Sequence, residues 1–160
     1  MMPKQHHILV ATMQDQPGVL NRVASMFRRR SFNIESLTVG HTDEPGISRM
    51  TIVVDGAMTD VEQVIKQLYK LIEVIKVSEV THDPVVAHEF ALIKVTAQAN
   101  QRNEVLQLAG VYNASVVHVA PDTVLMEATG PEDRIDALVG TLRTYGIKEM
   151  VRTGVVAMTK

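Results

Sequence analysis

Asp15, Gln16, Pro17, Gly18, Val19 and Leu20 place a carboxylate, a proline and a glycine directly before a helical stretch. Gly18 permits close approach of a ligand to the backbone, and Pro17 pre-sets the start of the helix. The unpartnered N–H groups of the helix's first turn can hold an anion such as an α-carboxylate. Asp15 can meet an ammonium group. A carboxylate and bare amides within a few residues suit a free amino acid, which carries both charges on one carbon. The same spacing also describes a plain strand-to-helix turn with Asp15 as a local cap. A second candidate segment follows the helix. Asn33 offers both a donor and an acceptor to a ligand main chain, and Ile34 offers an aliphatic wall. Equally, Asn33 suits a helix exit in left-handed geometry, with Ile34 in the core.

Other chemistries find less support. The six histidines, at positions 6, 7, 41, 82, 88 and 118, show no HExxH or comparable paired spacing, so no metal site is expected. Glu132-Asp133 falls at a helix start, where the helix dipole favours carboxylates, and reads as capping rather than acid/base catalysis. Arg28-Arg29-Arg30 falls at a helix end, where cations are favoured; it reads as a solvated terminus that can also serve a partner. There is no Walker A loop, no G-x-G-x-x-G and no G-x-S-x-G. No cysteine is present, which excludes disulfides and thiolate chemistry and is compatible with a cytoplasmic setting. No catalytic residue is expected.

The elements that must position these residues alternate. Ile8 to Met13 reads as a strand buried on both faces, and Gln14 to Gly18 breaks it. Val19, Leu20, Val23, Ala24 and Phe27 recur at helical spacing and predict a helix ending near Ser31. Phe32 to Val39 and Met50 to Val54 alternate around the turn Asp43-Glu44-Pro45-Gly46, a hairpin. Thr59 and Glu62 have capping-box spacing before a helix whose Val61, Val64, Ile65, Leu68 and Ile72 share a face. A strand from Val74 to Val80 completes βαββαβ, the split βαβ order of the ferredoxin-like class.

Thr81-His82-Asp83-Pro84 reads as a linker, after which the order recurs. The second half has a strand from Phe90 to Ala97, a helix from Gln101 to Tyr112 and strands from Ser115 to Val119 and Thr123 to Ala128. A helix opening at Pro131 turns Ile135, Leu138, Val139 and Leu142 inward, and Ile147 to Arg152 forms the last strand. The expectation is an α+β chain of two tandem ferredoxin-like βαββαβ domains, residues 1–81 and 85–160, duplicated in topology but not visibly in sequence. Open sheet edges invite pairing with a second copy, so a homodimer with extended sheets is expected.

Charge and hydropathy narrow the partners. The 160 residues carry a formal net charge of −2, which supplies no basic face for nucleic acid. No segment approaches the ~18 apolar residues that span a bilayer. Met1 to His7 runs into the first strand with no apolar signal region.

The stretch Asp15-Gln16-Pro17-Gly18-Val19-Leu20-Asn21-Arg22-Val23 resembles the opening motif of ACT domains, βαββαβ amino-acid-binding modules of metabolic regulators. Arg30-Ser31-Phe32-Asn33-Ile34-Glu35-Ser36-Leu37-Thr38-Val39, followed by Ser48-Arg49-Met50-Thr51-Ile52, is similar to the small regulatory subunits of acetolactate synthase (acetohydroxyacid synthase). The likeness continues through Gln67-Leu68-Tyr69-Lys70-Leu71 and Val77-Ser78-Glu79 to Arg152-Thr153-Gly154-Val155-Val156, nearly the whole chain. It implies an N-terminal ACT domain and a C-terminal domain that takes part in activating a separate catalytic large subunit. Thiamine diphosphate would sit in that partner and no cofactor in this chain. It further implies feedback inhibition of branched-chain amino-acid synthesis by valine or a related amino acid. The effector would be bound between two copies, with Asp15 to Leu20 of one facing Asn33 and Ile34 of the other. Several valine-sensitive members carry Asn at the place of Asp15, which changes both charge and hydrogen-bond inventory. The alternative is a free-standing ACT-type sensor acting on another partner.

Overall fold

The computed structural model describes residues 5–57 and 59–160, so Met1 to Lys4 of the N-terminal run lie outside the described residues. Two compact units emerge. The first runs through Val86 and takes back Val155–Lys160; the second is Ala87–Gly154.

In the first unit, β1 (His6–Gln14), α1 (Val19–Arg29), β2 (Ile34–His41), β3 (Ile47–Asp55), α2 (Val61–Leu68) and β4 (Val74–Glu79) form an antiparallel sheet of order β2-β3-β1-β4. In the second, β5 (Val85–Thr96), α3 (Arg102–Val111), β6 (Ser115–Val119), β7 (Thr123–Gly130), α4 (Glu132–Leu142) and β8 (Ile147–Arg152) repeat the arrangement as β6-β7-β5-β8.

Side chains alternating along the strands meet one stripe of each helix. Leu9, Ala11, Met13, Met50, Ile52 and Val54 pack with Val19, Val23, Met26, Phe27, Val64 and Leu68. Ala91, Ile93, Val95, Val124 and Met126 pack with Val105, Ala109, Ile135, Leu138, Val139 and Leu142. The α1 stripe is narrower than its apolar residues suggested. Val19, Val23, Met26 and Phe27 lie at i, i+4, i+7 and i+8 and are buried, whereas Leu20 and Ala24 are rotated off that face and exposed. Ile72 also leaves the predicted face: α2 ends at Leu68, and Ile72 is 91% exposed in the turn beyond it.

The two units repeat each other in detail at the exits of α1 and α3. Ser31 and Asn113 both take φ 54°, with Ser31 N donating to Arg28 O and Phe32 N to Phe27 O in one unit. Asn113 N donates to Gly110 O and Ala114 N to Ala109 O in the other. Both are Schellman closures, in which a left-handed residue lets the chain fold back onto the last turn. Ser31, not Asn33, is therefore the left-handed residue after α1. Rings of Phe27 and Phe32 meet edge to face, centroids 6.0 Å apart, as the apolar contact that accompanies the closure.

Two helix starts differ from expectation. Asp60 rather than Thr59 caps α2, its carboxylate accepting from Gln63 N at 3.3 Å, while Thr59 is buried. Replacing Asp60 with alanine should cost about 0.5–2 kcal/mol in urea unfolding, the usual range for losing such a cap. Pro131 occupies the cap position of α4, one residue before its first turn. An unexpected strand, β9 (Val156–Thr159), belongs to the first unit; Lys160 N donates to Pro84 O and Ala157 O accepts from Arg49 at 2.8 Å. Val155 and Ala157 are buried there.

Among the described residues, no helix is long and apolar enough to cross a membrane.

Candidate functional site

The segment from Gln14 to Leu20 crosses from the end of β1 into α1. Two backbone bonds pin its start: Gln14 N donates to Glu73 O at 2.9 Å and Asp15 N to Gly46 O at 2.8 Å. The loop is therefore tied to the turn before β4 and to the hairpin before β3. Gly18 caps the helix with φ 84°, a left-handed conformation that glycine adopts without steric cost. Pro17 thus stands one residue before the cap, not in the first turn.

Among the described residues, no side chain caps α1. That removes the reading of Asp15 as a local cap. Val19 N is engaged by Gln16 O at 3.3 Å, whereas Leu20 and Asn21 supply the next two first-turn amides, which helix geometry leaves without an i−4 carbonyl. The positive end of the helix dipole adds to their attraction for an anion. The side chains divide. Val19 is buried in the core and has only its backbone to offer, Leu20 is half exposed, and Asp15, Gln16 and Pro17 lie on the surface. Gln16 Nε2 donates to Gln14 Oε1 at 3.1 Å.

Three further residues complete the surroundings of the loop. His41, at the end of β2, meets Asp15 through Nδ1 at 3.0 Å from Oδ2, both side chains exposed. Arg22 pairs with Glu73, whose side chain is 8% exposed. The side-chain direction of Gly18 points at Arg22, since a Cβ built there would lie 3.3 Å from its Nη1. Sequence spacing cannot find these partners: His41 and Glu73 lie on separate elements, and only the sheet order brings them to the end of β1.

Asn33 and Ile34 lie elsewhere. Ile34 pairs with Val54, far along β3 from the Ser48 that pairs with His41 at the loop end. The 11-residue helix α1 separates Gly18 from this segment by roughly 16 Å at 1.5 Å per residue. Asn33 is exposed and donates to Glu35 Oε1 at 3.1 Å, and Ile34 packs partly against the core. A single chain does not bring its two candidate segments together.

The second unit has no equivalent loop. Its corresponding turn, Ala97 to Gln101, contains neither carboxylate nor glycine, and Gln101 caps α3 in right-handed geometry. A shallow cavity on its sheet, lined by Leu92, Lys94, Leu125, Glu149 and Val151 and crossed by the 3.0 Å Lys94–Glu149 pair, involves no candidate residue. Among the described residues, no three histidine, aspartate or glutamate side chains gather closely enough to hold a metal ion.

Comparison with known proteins supplies the family. Residues 9–76 match the family described as the AHAS small subunit-like ACT domain, and residues 88–160 match the small subunit of acetolactate synthase. The chain belongs to the acetolactate synthase small subunits. A probable acetolactate synthase small subunit of Archaeoglobus fulgidus is 51% identical over 154 residues, covering 96% of each chain. The small subunit of Aquifex aeolicus is 48% identical, over 96% of this chain and 81% of its own. The crystal structure of the acetolactate synthase small subunit from Thermotoga maritima superimposes with a TM-score of 0.90, at 36% identity over 98% of both chains. The first unit is thus an ACT domain, and the tandem ferredoxin-like architecture expected from the sequence is that of the family.

Proposed function

We propose that this acetolactate synthase small subunit is a non-catalytic regulator. It binds valine or a related branched-chain amino acid between two ACT domains and sets the activity of a separate large subunit that carries thiamine diphosphate. The observation behind the effector site is the separation of its halves. Asp15 to Leu20 offers first-turn amides and a carboxylate at one end of α1, and Asn33 and Ile34 stand at the other, so a second copy is needed to close a pocket. A dimer is favoured by the sheet edges. At β4 the Tyr69 hydroxyl both accepts from Val77 N at 2.9 Å and donates to Val77 O at 3.2 Å, which occupies the edge-facing backbone there. β2 lies at the other edge, and pairing β2 with its copy extends the sheet.

In this reading, zwitterion binding across the dimer favours one arrangement of the small subunit, and its differential affinity for that arrangement lowers the activity of the large subunit. The test mixes purified chain with a large subunit and follows acetolactate formation from pyruvate. The chain alone should be inactive, the mixture more active than the large subunit alone, and valine should reduce the gain. An unchanged rate on mixing would overturn the regulatory reading.

Asp15 bears on which amino acid is bound. Its carboxylate is engaged by His41, whereas an amide would offer the zwitterion both a donor and an acceptor. Asp15→Asn should bind valine several-fold more tightly by calorimetry. Its stability should change by only about 0–1 kcal/mol, the range for an exposed ion pair.

A further inference from the structure

Glu73 holds both arms of the Gln14–Gly18 loop. Its carbonyl accepts from Gln14 N, at the end of β1, and its carboxylate pairs with Arg22, on the first turns of α1. The pairing is unusual in its burial. Glu73 is 6% exposed, and its second carboxylate oxygen, Oε2, is buried with no hydrogen-bond partner among the described residues. Removing a carboxylate from water is costly unless its lone pairs are satisfied, so a fold does not gain by this arrangement unless the position matters.

The second unit is an internal control. It turns the same corner with the same two backbone bonds: Thr96 N donates to Gly146 O, just before β8, as Gln14 N does to Glu73 O, just before β4. Likewise Ala97 N donates to Asp122 O, before β7, as Asp15 N does to Gly46 O, before β3. At the place of Glu73 stands Gly146, with no side chain at all. The βαββαβ fold therefore needs only the backbone half of this clamp. The side-chain half occurs in the unit whose loop carries Asp15 and Gly18.

We propose that Glu73 and Arg22 are a positioning pair for the effector loop. They lock the end of β1 and the first turns of α1 in register, so that the Gly18 corner and the amides of Leu20 and Asn21 are held ready for the ligand. Arg22 acts from beneath Gly18, where its guanidinium fills the space that a larger residue's side chain would take. The proposal rests on the amino-acid site described above, because that site is what the pair positions. A pre-organised loop binds more tightly than one that must be ordered on binding, so the pair should show in affinity more than in stability.

The test uses the full chain and titrates L-valine, L-leucine and L-isoleucine by calorimetry into wild type, Glu73→Gln, Arg22→Gln and the double variant. Amide hydrogen exchange is measured in parallel. Each single variant should bind about tenfold more weakly, and the double variant no more weakly than the worse single, as for two groups acting as one unit. Exchange should quicken at Gln14 to Leu20 while Leu9 to Ala11 and Met50 to Val54 stay protected. Glu73→Asp, which keeps the charge on a shorter arm, should show the same local quickening and serves if the neutral variant does not fold. Affinities within twofold of wild type overturn the proposal, as does loss of protection across the whole first sheet. If wild type gives no heat with any of the three amino acids, the sensor reading fails. The clamp is then decided by loop exchange alone, which must quicken in Glu73→Gln for the pair to stand.

Discussion

Gly18→Asp should abolish effector binding, lowering affinity at least about 100-fold, which corresponds to roughly 2.7 kcal/mol. Three effects act together. At φ 84° a side chain is disfavoured relative to glycine, less so for aspartate and asparagine than for other residues. The new Cβ would lie 3.3 Å from Arg22 Nη1, so the aspartate would compete with Glu73 for that guanidinium. Its charge would also occupy the anion-attracting first turn of α1 and repel the ligand's carboxylate. Gly18→Asn separates these contributions, because asparagine tolerates left-handed geometry and has nearly the same shape without the charge. The asparagine variant should retain much of the affinity that the aspartate variant loses. Calorimetric titration with valine reads both; equal losses in the two would show that charge at this position is irrelevant. Activation of the large subunit should persist in both variants, since the loop is assigned to the effector and not to catalytic partnership.

Phe27→Ala should be the most destabilising single change in the ACT unit, at about 3–5 kcal/mol. Phe27 is 2% exposed, sits among Val23, Met26, Leu9 and Ile52, and meets Phe32 edge to face across the Schellman closure. Truncation removes core volume and the contact that fixes the chain's turn from α1 toward β2. Because the chain comprises two compact units, a single two-state fit need not apply, and hydrogen exchange resolved by residue is the suitable measurement. Protection should fall at Leu9 to Met13 and Met50 to Val54 and remain at Ala91 to Val95. Equal loss in both regions would show that the units unfold together.

Much of this architecture is legible without coordinates because it is written in short-range periodicity. The period-2 runs of β3 and β7, the stripe Ile135, Leu138, Val139 and Leu142 on α4, and the Pro-Gly break after β1 are each decided by neighbours within a few residues. Burial follows that pattern in β7 and α4, whereas β3 is buried on both faces from Met50 to Val54. Legibility falls where two local signals compete. Thr59 and Asp60 are both good caps one residue apart, and Leu20, Ala24 and Ile72 are apolar residues that periodicity alone cannot tell from core. Which faces inward depends on the angle at which each helix meets its sheet. β9 was missed because four residues, Val-Ala-Met-Thr, carry too little pattern. It is held by the Arg49–Ala157 bond, a contact 108 residues apart.

The loop at Asp15 to Leu20 divides in the same way. Adjacent residues alone specify that a glycine stands where the chain enters α1, that a carboxylate stands three residues before it, and that the order of elements is βαββαβ twice. These depend on the conformational range of glycine and on side-chain periodicity, which are properties of adjacent residues. That Asp15 faces His41, that Glu73 grips both Gln14 and Arg22, and that Asn33 lies a helix length away from Gly18 follows from the folded arrangement alone. The contacts of Asp15 with His41 and of Glu73 with Gln14 and Arg22 join residues 26 to 59 positions apart, and no local preference encodes them. They arise when the antiparallel sheet sets β1 between β3 and β4 and so brings three separate chain turns to one end of a single strand.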